Sequence, residues 1–92
     1  MFYVYVLVKD KKSLYVGYTT DLKRRFDEHC RGKVKSTAKY KEKLLIHYEA
    51  YELKSDAQRR ERFLKTTEGK RLLKQQTRDV LLKYELLSRQ TT

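Results

Sequence analysis

The sequence predicts a small α/β (α+β) domain, a three-stranded antiparallel sheet flanked by helices in the order ββαβαα. Three observations carry this. The chain has 92 residues and 11.2 kDa, the size of one domain burying roughly 60–65% of the surface its unfolded form exposes, so a large multi-domain enzyme is excluded. Two alternating apolar segments near the N-terminus are separated only by Lys9-Asp10-Lys11-Lys12-Ser13, too little chain for a parallel crossover. Beyond them, apolar residues recur at helical spacing behind residues that cap helices. There is no Pro, no Ser/Gly-rich linker and no repeat, so residues 1–92 read as a single domain with a core over about 2–70 and a C-terminal helix over about 70–87.

Phe2 to Val8 alternates. Phe2, Val4, Val6 and Val8 share the face expected to turn inward, and Tyr3, Tyr5 and Leu7 share the other. Leu14 to Tyr18 is the second strand of a hairpin. Placing Val4 and Val16 on one face requires an odd-numbered loop and is met by setting residue 5 against residue 15, so that Tyr5 and Tyr15 oppose each other. Thr20 or Asp21 caps a helix with a Leu22, Phe26 and Cys30 stripe that ends at Gly32. From Arg31 to Lys43 six cations stand against Glu42 alone, without periodicity, which makes a basic loop. Leu44 to Tyr51 starts apolar and then alternates, as a third strand does. Ser55-Asp56-Ala57-Gln58 has capping-box spacing for a second helix through about Lys65. Gly69 separates it from a third helix, with Leu73, Val80, Tyr84 and Leu87 near one face and a tail that frays from Ser88.

The formal charge is +11, from 23 Lys and Arg against 12 Asp and Glu. Such an excess points to a polyanionic partner, nucleic acid first. Cys30 is the single cysteine and His29 and His47 are the only histidines, so a four-ligand Cys/His zinc set is excluded. The apolar start breaks at Lys9 and no run approaches the ~20 residues of a membrane span. A cytoplasmic, soluble protein without membrane contact is expected.

Some side chains stand out for their chemistry. Arg25 and His29 are four residues apart and share a helix face at the edge of the core; by themselves they also fit a solvated Arg and a His at a helix C-terminus. Glu61 shares a face with Ala57 and Leu64. Burying its charge unpaired would cost several kcal/mol, so it either meets a bound cation or Arg, or pairs with Lys65 four residues on. Tyr3, Tyr5, Tyr15 and Tyr18 fit simple packing on a sheet, yet phenols facing each other near Arg25 could also stack bases, contact phosphate or take a proton. Lys33, Lys35, Lys39 and Lys41 are either phosphate contacts or a solvated charge run.

Taken in order, Tyr3-Val4-Tyr5, Tyr15-Val16-Gly17, Leu22-Lys23-Arg24-Arg25, His29 and Glu61-Arg62-Phe63-Leu64-Lys65 resemble the GIY-YIG endonuclease superfamily. The resemblance covers residues 2 to about 70 and is closest to the compact single-domain bacterial type, similar to the N-terminal nuclease domain of UvrC. It implies that Tyr5 and Tyr15 are the tyrosines of the two name motifs, that Arg25 is the catalytic arginine, that His29 orients groups or relays a proton, and that Glu61 is the carboxylate holding Mg²⁺ or Mn²⁺. It further implies that Tyr5, assisted by Tyr15, takes the proton of the attacking water while Arg25 binds the phosphate. Tyr3 stands where the name motif has Gly, Tyr18 where some relatives have Lys, and no Asn or Pro follows the second helix.

The function so implied is metal-dependent hydrolysis of DNA, in repair or recombination, with RNA left open as a substrate. A rival from another class is a non-catalytic nucleic-acid-binding module that keeps the fold. A third is an assembly adaptor that docks a protein partner through Leu81, Leu82, Leu86 and Leu87 of the last helix.

Overall fold

The computed structural model describes residues 1–10 and 13–90. Strand β1 (Phe2–Lys9) pairs antiparallel with β2 (Ser13–Thr19) on one side and with β3 (Lys43–Tyr51) on the other, giving the sheet order β2-β1-β3. Helix α1 (Leu22–Cys30) lies between β2 and β3 in the chain, and α2 (Lys54–Leu64), α3 (Thr67–Gln76) and α4 (Arg78–Gln90) follow β3. The expected sheet and α+β class are what is found. The helix expected over 70–87 is two helices, divided at Thr77, whose hydroxyl and amide both donate to the Leu73 carbonyl (2.8 and 2.9 Å).

As the central strand, β1 is covered on both faces, and Val4, Tyr5, Val6, Leu7 and Val8 are all buried. Alternation alone assigned only the Val face to the core; a central strand loses both faces to packing. On the Val face, Val4, Val6 and Val16 pack with Ala57 and Leu64 of α2 and Leu73 of α3. On the Tyr5 face lie His29 of α1 and the buried Val34 and Thr37 of the basic segment.

The hairpin register differs from the one expected by two residues. Tyr5 faces Gly17, Val6 faces Val16 and Leu7 faces Tyr15. Setting residue 5 against 15 would leave one residue to turn the chain between 9 and 11, whereas the pairing of Lys9 with Ser13 leaves three. A two-residue shift preserves every face, so Val4 and Val16 still share the core and the tyrosines become diagonal neighbours, ring centres 6.3 Å apart. Lys11 and Lys12 lie outside the described residues. Asp10 takes a left-handed backbone (φ 48°), tolerated by Asp, and is joined to Glu42 by two bonds: its amide donates to the Glu42 carbonyl (2.8 Å) and its carboxylate accepts from the Glu42 amide (2.7 Å).

Between β1 and β3, Val6 faces His47 while Leu7 faces Leu45, so Ile46 is the extra residue of a bulge. That explains why Leu44-Leu45-Ile46 does not alternate. At the far end of β3, Glu49 accepts from Tyr51 (2.6 Å), His47 (3.0 Å) and the Nε and Nη2 of Arg60 (2.9 and 3.3 Å), tying the sheet to α2.

Asp21 caps α1, accepting from the Arg24 amide at 3.1 Å. Within α1 the expected stripe is rotated: His29 is the buried residue, Leu22 and Phe26 are half-buried and Cys30 is exposed. Helix α2 begins at Lys54 with no side-chain cap, so Ser55 lies inside the helix and not at its start. Thr66 caps α3, accepting from the Gly69 amide (3.0 Å). Gly69 is therefore inside α3 and separates nothing; a Cβ there would collide with the Phe63 carbonyl, so it permits the close turn from α2. Leu81 is half-buried and Leu82 exposed, and the assignment of α4 through Gln90 covers the stretch expected to fray. The side chains of Leu86 and Leu87 lie outside those described. Among the described residues no helix is long and apolar enough to cross a membrane.

Gly17 opposite Tyr5 is the position where the sheet makes room for a site residue, because a Cβ would collide with the Cζ and hydroxyl of that buried ring. Gly17→Ala is expected to cost ~1–3 kcal/mol, the range for overpacking, and to displace the Tyr5 hydroxyl. Urea denaturation measures the first effect and the hydroxyl's proton resonance the second.

Candidate active site

Four of the five residues singled out for catalysis come together. The Tyr5 hydroxyl lies 2.7 Å from Nε2 of His29, both side chains being essentially inaccessible. The ring of Tyr15 lies edge-on to the His29 ring with centroids 5.1 Å apart, and its hydroxyl accepts from Ser36 at 3.4 Å. Arg25, one turn before His29, places its guanidinium near the Tyr5 hydroxyl while Nη1 donates to Glu28 (3.1 Å). The sequence placed Arg25 and His29 together at the edge of the core; His29 is instead wholly buried, and Arg25 alone reaches solvent.

Burial sets the electrostatics. It pushes the Tyr5 phenol up to about 12, against the opposing pull of Arg25, so this tyrosine holds its proton at neutral pH. It pushes His29 down to about 4, helped by the cations Arg25 and Lys43, so the imidazole is neutral. Lys43 is itself buried, donating from Nζ to the His29 carbonyl at 2.8 Å. With these values the resting pair is a protonated phenol against a neutral imidazole, and the phenol proton would move to His29 only if another proton arrived at the Tyr5 oxygen at the same time.

Among the described residues Glu61 is not bonded to any member of this group. It lies on α2, which covers the Val face, with its carboxylate 21% exposed and Oε2 held by Lys65 at 3.0 Å. Among the described residues no hydrogen bond or ion pair joins it to Tyr5, Tyr15, Arg25 or His29. The pairing with Lys65 left open by helix spacing is present, and at this exposure it is worth ~0.3–0.5 kcal/mol. No cluster of three or more His, Cys, Asp or Glu forms a metal cage among the described residues. Mg²⁺ does not demand one, since it keeps several waters and is commonly held by one or two carboxylates together with substrate phosphate.

Lys33, Lys35, Lys39 and Lys41 are exposed along the segment between α1 and β3. Lys39 and Lys9 lie over the Tyr40 ring, at 5.3 and 4.6 Å from its centre. This segment is held by Val34 and Thr37, both buried. Ser36, Thr37 and Lys43 carry no motif of their own in the sequence, where the one signal is the i, i+3 spacing of Val34 and Thr37 within a run of lysines.

The GIY-YIG catalytic-domain family model matches residues 1–76, from β1 through the end of α3. The chain belongs to the GIY-YIG family. A UPF0213 protein of Haloquadratum walsbyi is 38% identical over 81 residues, covering 85% of this chain and 91% of the relative. A UPF0213 protein of Streptococcus agalactiae is 40% identical over 83 residues, covering 89% and 84%. One of Staphylococcus haemolyticus is 38% identical over 73 residues, covering 78% and 89%. No solved structure matches. Both tyrosine strands, α1 and α2 of this GIY-YIG chain fall inside the matched residues; α4 falls outside them.

The depressed His29 value fixes a sign. Between pH 6.5 and about 4 the unfolded chain takes up a proton that the folded chain refuses, so stability falls as pH falls through that window. Glu49, held down to about 2 where burial is outweighed by its bonds to Arg60, Tyr51 and His47, contributes stability that is lost only as pH drops below 4.5. Urea midpoints measured from pH 7 to pH 4 are expected to decline for the wild type. His29→Gln, although less stable overall, should lose the part of that slope above pH 4.5.

Proposed function

We propose that this protein is a metal-dependent endonuclease that hydrolyses phosphodiester bonds in DNA. The observation that carries the reading is the buried Tyr5 hydroxyl at 2.7 Å from a neutral His29, with Arg25 beside it. Water attacks phosphorus while the bond to the leaving oxygen breaks and that oxygen takes up a proton from solvent. Substrate binding must uncover the Tyr5 oxygen, because the hydroxyl is buried in the free domain. The attacking water's proton then passes to the Tyr5 oxygen as the Tyr5 proton passes to Nε2 of His29. A phenol raised to about 12 cannot stand ready as tyrosinate, so the two transfers are coupled. Arg25 faces the phosphate and offsets the charge that grows on its oxygens. Tyr15 walls the imidazole and keeps its ring in place.

Glu61 is the residue that would hold Mg²⁺ or Mn²⁺, its half-buried carboxylate being the hard oxygen donor these ions take. When bound, the ion supplies Lewis-acid stabilisation of phosphate charge. The net charge of +11 suits a nucleic-acid substrate, with RNA the alternative polymer. Resemblance to an excision-repair nuclease domain supports a cytoplasmic role in repair or recombination. The engagement of Glu61 by Lys65 favours the second reading, a nucleic-acid-binding module that keeps the fold without cutting.

Purified protein incubated with a panel of DNA and RNA structures, with and without Mg²⁺ or Mn²⁺, separates the two readings. Tyr5→Phe keeps the ring and should lose ~10²–10⁴ in single-turnover rate, the range for a general base, while binding normally. Glu61→Ala should fold and bind DNA yet not cut. Binding without cleavage by the wild type in every metal would establish the non-catalytic module instead.

Replacing Lys33, Lys35, Lys39 and Lys41 by Gln tests the phosphate contacts. Affinity should fall alike for all sequences, and the log–log salt slope should shrink by ~0.9 per lost duplex contact. An unchanged slope in filter binding or fluorescence anisotropy would place the groove elsewhere.

A further inference from the structure

The other edge of the His29 ring is also held. Nδ1 lies 2.7 Å from the hydroxyl of Thr37, a residue with no exposed surface in the middle of the lysine-bearing segment. The Thr37 hydroxyl donates to the Val34 carbonyl at 3.5 Å, the same carbonyl that accepts the Thr37 amide at 3.0 Å. We propose that Thr37 is a positioning residue that fixes the tautomer of His29, with the proton on Nδ1 and Nε2 left bare to receive the proton of Tyr5.

A hydroxyl has one proton and accepts through lone pairs. The competing arrangement, with the hydroxyl donating to Nδ1 across 2.7 Å and Nε2 donating to Tyr5, is the one a long-range ¹H–¹⁵N spectrum tells apart. Directing that proton at Val34 instead leaves the oxygen as an acceptor for Nδ1, so that Nδ1 carries the ring hydrogen. A neutral imidazole has a single N–H, so Nε2 is the acceptor and Tyr5 the donor. The bonds then run one way, from Tyr5 O–H to Nε2, from Nδ1–H to Thr37, and from Thr37 O–H to the Val34 carbonyl. When the Tyr5 proton moves to Nε2, the ring holds a hydrogen at each nitrogen and both already face an oxygen, so no group must turn. In the other tautomer Nε2 carries the hydrogen and donates to Tyr5, and the ring has no lone pair for the phenol proton.

Of the remaining groups, Tyr15 presents its ring and Lys43 binds the backbone carbonyl, so neither chooses between tautomers, whereas Arg25, beside the Tyr5 oxygen, turns the phenol proton toward Nε2 and so favours the same tautomer. Thr37 also lies between Lys35 and Lys39, so the segment proposed to carry substrate phosphates is the one that orients the proton acceptor. This inference rests on the nuclease reading for its catalytic consequence, but the tautomer itself is open to direct measurement.

The test combines a long-range ¹H–¹⁵N spectrum of histidine-labelled protein, with His47→Gln used to assign the two rings, and single-turnover cleavage. Wild type at neutral pH should show His29 protonated at Nδ1. Thr37→Val, which keeps the shape and removes the hydroxyl, should move the proton toward Nε2 and lower the cleavage rate by ~10–100-fold, as loss of an orienting partner does, with DNA affinity changed less than about twofold. Thr37→Ser should restore both tautomer and rate. A wild-type proton on Nε2, or a Thr37→Val protein with unchanged tautomer and rate, overturns the assignment. If Thr37→Val fails to fold, the wild-type and Thr37→Ser spectra still decide it. Wild-type protein that cuts nothing overturns the nuclease reading instead, a different failure from a misplaced proton.

Discussion

The structure depends on one buried polar contact, the Tyr5 hydroxyl against Nε2 of His29 at 2.7 Å, in a domain small enough that few apolar groups could compensate for its loss. A buried polar group left unpaired costs ~1–3 kcal/mol, and this pair brings two such groups inside. Its surroundings can be read as the means of satisfying them. Gly17 clears space for the phenol, Thr37 takes the second ring nitrogen, Lys43 takes the carbonyl of His29, and Asp21 starts α1 at the residue that brings His29 over the sheet. No buried side-chain nitrogen or oxygen is left without a partner among the described residues.

A second polar centre works differently. Around Glu49 the carboxylate is charged and satisfied by Arg60, Tyr51 and His47, which joins β3 to α2 through an ion pair at partial burial. The two centres fall on different sides of the argument about charge. One is kept neutral by being dry, the other is kept ionised by a guanidinium. The first has groups free to exchange a proton, whereas the second has its acceptor oxygens committed to structural partners.

How much of this was legible in the sequence follows from what each signal can encode. Alternation gives the parity of a strand pair, so the shared face of Val4 and Val16 was readable but the two-residue register shift was not, because a shift of two leaves every face unchanged. Alternation also cannot say which strand is central, and so it left Tyr5 and Leu7 on an outer face. Hydrophobicity chose Cys30 for the core of α1 over His29; the structure reverses this because a histidine with a partner at each nitrogen can be buried and the chain end of the helix turns Cys30 outward. Helix spacing left Glu61 with two fates, and the Lys65 pair is the one visible here. The family was legible because five short motifs stand in order, although none of them reveals that Thr37 touches the histidine.

The double bond between Asp10 and Glu42 bears on how the lysine segment would meet a polyanion. That segment is anchored at its start by α1, in its middle by Val34 and Thr37, and at its end by this clasp to the β1 terminus. Its backbone is therefore ordered when the domain folds, at ~1–2 kcal/mol per residue of conformational entropy that would otherwise fall on association. A partner arriving at Lys33, Lys35, Lys39 and Lys41 has only side-chain rotamers left to restrict. For such a partner the clasp would move the entropic cost of recognition from the encounter to the folding of the chain, with a preformed array of charges in place of a flexible basic arm.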